Sequence, residues 1–291
     1  MVSSGLVYCA TGEKYASLAI ESISSFRREG GGLPVQLFCD RESEILIRRN
    51  LPLNDIEIRV LDRPTFGFAD KIVALMSCDF DKGIFVDCDT YFLHYSLENS
   101  AKQFQTEVLQ ALDSLDLLAL PGLGLNRENE RDWASLAVGQ FNTGVIGFRR
   151  SEALVLMLKN WLALYELEDS HDQPAFRKAA ILSKIRAGSM MPEYNFQGNG
   201  LLNFRPRLIH LTGGPRKMWS LDSALMAEFS KYFDERVYPR LFIEFQEVHP
   251  LPSRKLKTLG APLSYYLAGV KSWISTRLEI FFMSKKYRNS L

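Results

Sequence analysis

The stretch Gly83-Ile84-Phe85-Val86-Asp87-Cys88-Asp89-Thr90-Tyr91-Phe92 decides how this chain is read. Ile84 to Val86 is a short apolar run of the kind that forms a buried strand. Two carboxylates follow, two residues apart, where that strand should end. In extended backbone, side chains at i and i+2 point to the same face. Two acidic groups on one face repel unless a cation or a donor lies between them. A hard divalent ion suits the place, because Mg²⁺ and Mn²⁺ take oxygen ligands, often one or two carboxylates plus substrate phosphates. An Asp-x-Asp triplet by itself is more often a solvated turn. The apolar strand before this one and the aromatic run after it favour the ligand reading.

Outward from that stretch, strands and helices alternate. Gly5 to Ala10 reads as a first strand, followed by the turn Thr11-Gly12-Glu13. Tyr15 to Arg28 carries apolar residues at Ala16, Ala19, Ile20, Ile23 and Phe26, which is helical spacing. Gly30-Gly31-Gly32 ends that helix. Val35 to Cys39 is a second strand ending at Asp40, Ser43 to Asn50 a helix, Ile56 to Leu61 a third strand and Ala69 to Ser77 a helix. The pattern predicts an α/β fold with a mostly parallel central sheet and helices on both faces. Ligands of such sheets gather at the carboxyl ends of the strands, where Thr11, Asp40 and Asp87 all fall.

The second half is less regular. Leu115 to Leu120 reads as a strand, and residues 121–140 as a long polar loop of the kind that serves as a lid or binding loop. Phe141-Asn142-Thr143-Gly144-Val145-Ile146-Gly147-Phe148 is a strand with two glycines, where a backbone or ligand can come close. Ser151 caps an amphipathic helix through Tyr165, and His171-Asp172-Gln173-Pro174 opens another. Leu208 to Leu211 is a short strand leading into the basic loop Thr212-Gly213-Gly214-Pro215-Arg216-Lys217-Met218-Trp219.

The chain has 291 residues, 46% hydrophobic and 24% charged, enough for an ample core. Its net charge of +1 excludes a general polyanion binder. From Arg254 to Leu291, eight basic residues face one acidic residue, giving that tail +7 and leaving −6 for the rest. Four cysteines without a Cys-x-x-Cys pair argue against zinc and for buried thiols in a reducing compartment. Residues 1–10 lack the pattern of a signal peptide, and no uncharged apolar run approaches ~20 residues. A cytoplasmic location is the expectation.

Six motifs occur in one order: Tyr8-Cys9-Ala10-Thr11-Gly12-Glu13-Lys14-Tyr15, Lys71-Ile72-Val73-Ala74-Leu75, Phe85-Val86-Asp87-Cys88-Asp89-Thr90, Phe141 to Ile146, His171-Asp172-Gln173, and Ile209-His210-Leu211-Thr212-Gly213 with Lys217-Met218-Trp219. Over residues 4–220 the chain resembles the nucleotide-sugar glycosyltransferases of the GT-A fold, most nearly the glycogenin-like, retaining group (family 8). The resemblance implies a divalent-metal-dependent hexosyltransferase using a nucleoside diphosphate sugar, expected to be uridine-linked, with Mn²⁺ or Mg²⁺. Asp87, Asp89 and His210 would hold the metal, with Asp87 contacting metal or ribose. Imidazole suits Mn²⁺ better than Mg²⁺. A histidine on an apolar strand is otherwise most often a core residue, but here the Gly-Gly and basic loop that follow favour a ligand. Lys217 would neutralise the leaving diphosphate, although the family's Lys-Pro-Trp is Lys-Met-Trp here. Thr11, Gly12, Tyr15, Asp40, Lys71 and Gly213 would contact the nucleotide, while Asn142, Asp172 and Gln173 would hold the donor sugar. Competing roles remain for several of these. Tyr15 could pack on its helix face, Asp40 could cap a turn, and Asp172 could cap the helix from Pro174.

The implied domains are a catalytic domain over residues 1–250 and a basic, aromatic-rich helical extension over 251–291. Leu267, Val270, Trp273, Ile274, Arg277, Leu278, Phe281 and Phe282 follow helical spacing in the extension. It could contact an anionic membrane peripherally at the inner face or pack on the catalytic domain. The acceptor, a hydroxyl on a glycan, lipid or protein, is not encoded in any motif. Two other functions compete with the transferase, a sugar-nucleotide nucleotidyltransferase and a non-catalytic nucleotide-sugar-binding or membrane-surface protein. The first usually carries a longer, glycine-rich loop after its first strand. Nucleic-acid binding is disfavoured because no recognised motif is present.

Overall fold

Continuous apolar runs, their successive side chains on opposite faces of the sheet, build the centre of the protein. The computed structural model describes residues 3–95, 98–122, 140–168, 172–196 and 206–210, all within the unit formed by residues 1–241. The elements are β1 (Ser4–Ala10), α1 (Glu13–Arg28), β2 (Val35–Cys39), α2 (Arg41–Asn50), β3 (Ile56–Val60), α3 (Phe68–Ser77), β4 (Lys82–Val86), β5 (Thr90–Phe92), α4 (Ser100–Ala111), β6 (Leu117–Pro121), β7 (Phe141–Arg149), α5 (Glu152–Glu168), α6 (Asp172–Leu182), β8 (Ala187–Ser189) and β9 (Leu208–His210). Leu6, Tyr8 and Ala10 of β1 point to one face, with Ile84 and Val86 of β4. Val7 and Phe85 point to the other, as the two-residue period of a strand requires. One face packs on residues of α1, α2 and α4, the other on α3, α5 and α6.

Among the described residues, seven strands form the central sheet in the order β3-β2-β1-β4-β7-β6-β8. The first four are mutually parallel. The sheet is mostly parallel, as expected: β7 alone runs against the others, antiparallel to both β4 and β6, while β6 and β8 pair parallel. Between β1 and β4 the strand order reverses, and the carboxyl ends of these neighbours open the crevice in which such sheets bind ligands. Thr11 and Gly12 lie on one side of it and Asp87 on the other.

Two irregularities shape that crevice. Ala119 pairs with Ile146 and the next residue, Leu120, with Asn142, so Thr143, Gly144 and Val145 have no partner on β6. Such a bulge bends a strand and re-aims its side chains. A separate two-stranded ribbon pairs β5 with β9 antiparallel, Thr90 facing His210. Phe196 bridges to Ile209, and the His210 amide donates to the Phe196 carbonyl at 2.7 Å.

The helices start where sequence chemistry says they should. Asp40 caps α2 by accepting from the amides of Glu42 and Ser43, and the Ser151 hydroxyl accepts from the Leu154 amide at the head of α5. Trp161, fully buried in α5, stacks edge-on to Phe176 of α6 at 4.7 Å and donates its indole N–H to the Asp172 carbonyl at 2.9 Å. That bond fixes the start of α6, which begins at Asp172 itself rather than at Pro174. No helix among the described residues is long and apolar enough to cross a membrane. The 251–291 extension, most of the 121–140 loop, His171, Gly213 and Lys217 lie outside the described residues.

Candidate active site

Asp87 and Asp89 sit in the short link between β4 and β5. Cys88 between them turns its side chain inward and donates its thiol to the Cys9 carbonyl at 3.0 Å. Burial pushes the Cys88 thiol well above its ordinary range, so it serves as an anchor and not as a nucleophile. The Asp87 amide donates to the Gly144 carbonyl at 2.7 Å, extending the β4–β7 ladder into the link. His210 arrives from β9, which the ribbon with β5 carries to the same point. Its Nε2 lies 3.2 Å from Asp89 Oδ1 and 3.6 Å from Asp87 Oδ2. Ligating atoms of the three residues all fall within 4.8 Å of one another.

These donors fit a divalent cation. The His210 ring is buried, and its Nε2 makes no hydrogen bond although two carboxylate oxygens lie near it. Two oxygens and an imidazole nitrogen form a set that Mn²⁺ accepts more readily than Mg²⁺. Gly144 makes room for the ring, because a Cβ there would come within 1.9 Å of His210 Cε1.

A second charge cluster adjoins the first. Lys71, from the first turn of α3, is buried with Nζ 3.0 Å from Asp172 Oδ2 and 3.5 Å from Asp87 Oδ1. Thr143, displaced by the bulge, donates its hydroxyl to Asp172 Oδ2 at 2.5 Å. Burial alone would lower the Lys71 pKa, but Asp172 and then Asp87 outweigh it and hold the pKa above the usual lysine range. Lys71 is therefore a fixed cation. Burial raises the Asp87 carboxyl, an effect that Lys71 and His210 oppose and that Asp89 and Asp172 reinforce. Gln173 is half-buried on α6 beside Asp172.

The carboxyl end of β1 is built around two further carboxylates. Asp40 Oδ2 accepts from the Gly12 amide at 2.6 Å and from the Ser43 hydroxyl at 2.5 Å, while Oδ1 takes the amides of Glu42 and Ser43. All four of its acceptor positions are filled. Asp40 thus holds Gly12 and caps α2, and has no free lone pair for a ribose or base. Those bonds keep its pKa low against the opposing effect of burial. Gly12 has φ +92°, a conformation that favours glycine. Asp70 is buried and accepts from the Thr11 hydroxyl, the Thr65 hydroxyl and the amides of Thr65 and Phe66. Phe66 is thereby held at φ +57° with its ring 63% exposed and facing Gly12. Tyr15 projects from the first turn of α1, 39% exposed, with Lys14 over its ring.

Asn142 is buried, and its Oδ1 is taken by the Gly144 amide at 2.9 Å and by Asn195 Nδ2 at 2.8 Å. This carbonyl oxygen therefore supports the site's framework and is unavailable to a sugar hydroxyl. Of the expected residues, the structure gathers Asp87, Asp89, His210, Lys71, Asp172 and Asn142 into one cluster, and Thr11, Gly12, Tyr15 and Asp40 around the end of β1. Gly213 and Lys217 lie outside the described residues. Reading the sequence missed Asn195, Thr143, Asp70 and Phe66. Asp70 reads as an ordinary first-turn acid on a helix, and Asn195 meets His210 only through folding.

Comparison with known proteins adds two findings. A family model described as "Mannosyltransferase putative" matches residues 3–109, the part that supplies Thr11, Lys71, Asp87 and Asp89. Among solved structures, the apo form of the bifunctional glycosyltransferase WbbM is similar with a TM-score of 0.50 and 13% identity. The likeness covers 73% of this chain and 46% of that one, so this chain spans less than half of its length. At that identity the likeness establishes a shared fold. No curated protein matches the chain in sequence. The family match over the N-terminal part and the shared fold together support a glycosyltransferase-like protein.

Proposed function

We propose that the chain is a divalent-metal-dependent glycosyltransferase that moves a sugar from a nucleoside diphosphate sugar to an acceptor hydroxyl, with retention. One observation carries the reading. Asp87, Asp89 and His210 converge at the reversal of strand order, although the histidine is remote in sequence. A bound Mn²⁺ or Mg²⁺ would supply electrostatic stabilisation of the charge that builds on the departing diphosphate. The residues themselves do the rest of the work. Thr11, Gly12 and Tyr15 form the seat for the nucleoside, with the Phe66 ring as an additional face. Lys71 pairs with Asp172 and Asp87 and holds both carboxylates in place. Asp172 and Gln173 are assigned to the donor sugar's hydroxyls, and Lys217 to the leaving diphosphate. Hydrogen bonding to hydroxyls gives such a site discrimination between sugars.

A uridine-linked donor is part of this proposal. A mannosyl donor is the second reading, favoured by the family match over residues 3–109. Peripheral contact with an anionic membrane through residues 260–291 is proposed as well, and vesicle co-sedimentation of the intact chain tests it. The function is tested with uridine and guanosine diphosphate sugars, with and without Mn²⁺, scored for nucleotide release. Release with one donor, dependent on Mn²⁺ and lost in Asp89→Ala with an unchanged circular dichroism spectrum, is the expected result. Nucleotide-sugar binding without release from any donor would favour the non-catalytic reading.

A further inference from the structure

His210 does not orient itself. Its ring nitrogens are chemically distinct, and which one carries the proton decides whether Nε2 can bind a cation at all. The surrounding hydrogen bonds determine the answer when followed from a donor whose identity is certain. The Gly144 backbone N–H can only donate, so the Asn142 side-chain atom 2.9 Å away must be oxygen. That same oxygen lies 2.8 Å from the Asn195 side chain, which must therefore present its NH₂ group. The opposite atom of the Asn195 amide is then the carbonyl oxygen, and it lies 2.9 Å from His210 Nδ1. A carbonyl oxygen accepts only, so Nδ1 carries the proton. In the neutral ring this leaves the Nε2 lone pair directed at Asp87 and Asp89.

We propose that Asn195 is a positioning residue for the metal site. Through Asn142 it transmits the direction of the Gly144 amide to His210 and holds the ring in the Nδ1–H tautomer. This rests on the metal reading given above. Asn195 is fully buried and both ends of its amide are used, so a flip would break two bonds at once. Gly144 anchors the relay at three points. Its amide sets Asn142, its carbonyl holds the Asp87 amide, and its lack of a side chain admits the His210 ring. The Asp87–Gly144 bond is the last of the β4–β7 ladder, and beyond it the Gly144 amide donates to Asn142. Outer hydrogen bonds of this kind fix the ring orientation of metal-ligating histidines, and removing one commonly costs 10–100-fold in metal affinity.

The test is made on the full chain without metal, labelled with ¹⁵N-histidine, with the pH raised until the His210 ring shifts stop changing, so that the tautomer is read in the neutral ring. Long-range ¹H–¹⁵N correlations distinguish the two tautomers, and His210→Gln assigns the resonances among the four histidines. Wild type should show Nδ1–H. Asn195→Leu, which removes the acceptor, should move the proton to Nε2 and weaken Mn²⁺ binding by about 10–100-fold in calorimetry. Asn195→Asp restores an acceptor and should keep the Nδ1–H tautomer, which a purely space-filling role for Asn195 would not require. An Nε2–H tautomer in the wild type overturns the relay even if the Leu variant fails to fold. Unchanged tautomer and Mn²⁺ affinity in Asn195→Leu, or a switch to Nε2–H in Asn195→Asp, overturns it too. Loss of Mn²⁺ binding in Asp89→Ala with none in Asn195→Leu would leave the metal reading standing and the relay refuted.

Discussion

Gly144→Ala gives a sharp test of how the site is packed. The new Cβ would lie 1.9 Å from His210 Cε1, 2.4 Å from Nδ1 and 2.8 Å from Nε2. Carbon atoms in contact sit about 3.5–4.0 Å apart, so the ring must retreat by roughly 1.5–2 Å. It has little room to do so, because Nδ1 is bonded to Asn195 and β9 is paired to β5. Gly144 is not among the glycines of positive φ, so alanine adds no conformational strain and the effect is steric. Forcing a methyl group into such a place costs about 1–3 kcal/mol. Metal–ligand distances tolerate only about 0.2 Å, so Nε2 would also be lost as a ligand. Urea denaturation of wild type, Gly144→Ala, His210→Ala and the double variant forms the cycle. Gly144→Ala should cost about 1–3 kcal/mol in the native background and under about 0.5 kcal/mol once the ring is gone. Calorimetry should show Mn²⁺ binding lost in the single alanine variant. An equal cost in both backgrounds would refute the claim that Gly144 exists to admit His210.

Lys71→Met should destabilise the protein by about 3–5 kcal/mol in urea denaturation, because it strands Asp172 and Asp87 without their buried cation; a loss under about 1 kcal/mol contradicts the pairing. Phe66→Gly should raise stability by up to about 1 kcal/mol by relieving a left-handed backbone, while donor KM rises if the ring seats the base; unchanged KM removes Phe66 from the site. Asp116 gives a pH signature. Arg186 and Arg149 depress its carboxyl to about 2, so its contribution is present above its ordinary value near 4 and fades as pH falls through about 2. With Arg186 mostly exposed and the interaction screened, Asp116→Asn should cost about 1 kcal/mol at pH 7 and close to nothing at pH 2. An equal cost at both pH values would contradict that ion pair.

Local periodicity carried much of this fold. The β1, β2, β3 and β4 strands and the helices between them follow from short-range apolar spacing, and their boundaries differ from expectation by one or two residues. What spacing cannot express is pairing between distant segments. The β5–β9 ribbon joins Thr90 to His210, and no property of either three-residue strand announces the partner. The reversed direction of β7 and its bulge are likewise tertiary outcomes, since an alternating strand looks the same in either direction. Asp87 and Asp89 were visible because carboxylates at a strand end stand out against apolar neighbours, whereas Lys71 and Asp172 came into view through the resemblance to GT-A glycosyltransferases. The roles of the residues that orient them were less legible. Asn195 looks like a turn asparagine until folding buries it. Asn142 was expected at the donor sugar and instead commits its carbonyl oxygen to Gly144 and Asn195, and of the two roles open to Asp40 the Gly12 and Ser43 bonds leave the cap.

The central claim is that one cation is gripped by Asp87, Asp89 and His210. Anomalous diffraction at the manganese edge, from crystals soaked in Mn²⁺ and a nucleoside diphosphate, tests it directly. The account predicts one peak within about 2.3 Å of a carboxylate oxygen from each aspartate and of His210 Nε2. A manganese peak bound elsewhere, with these three side chains still together and empty, would contradict it.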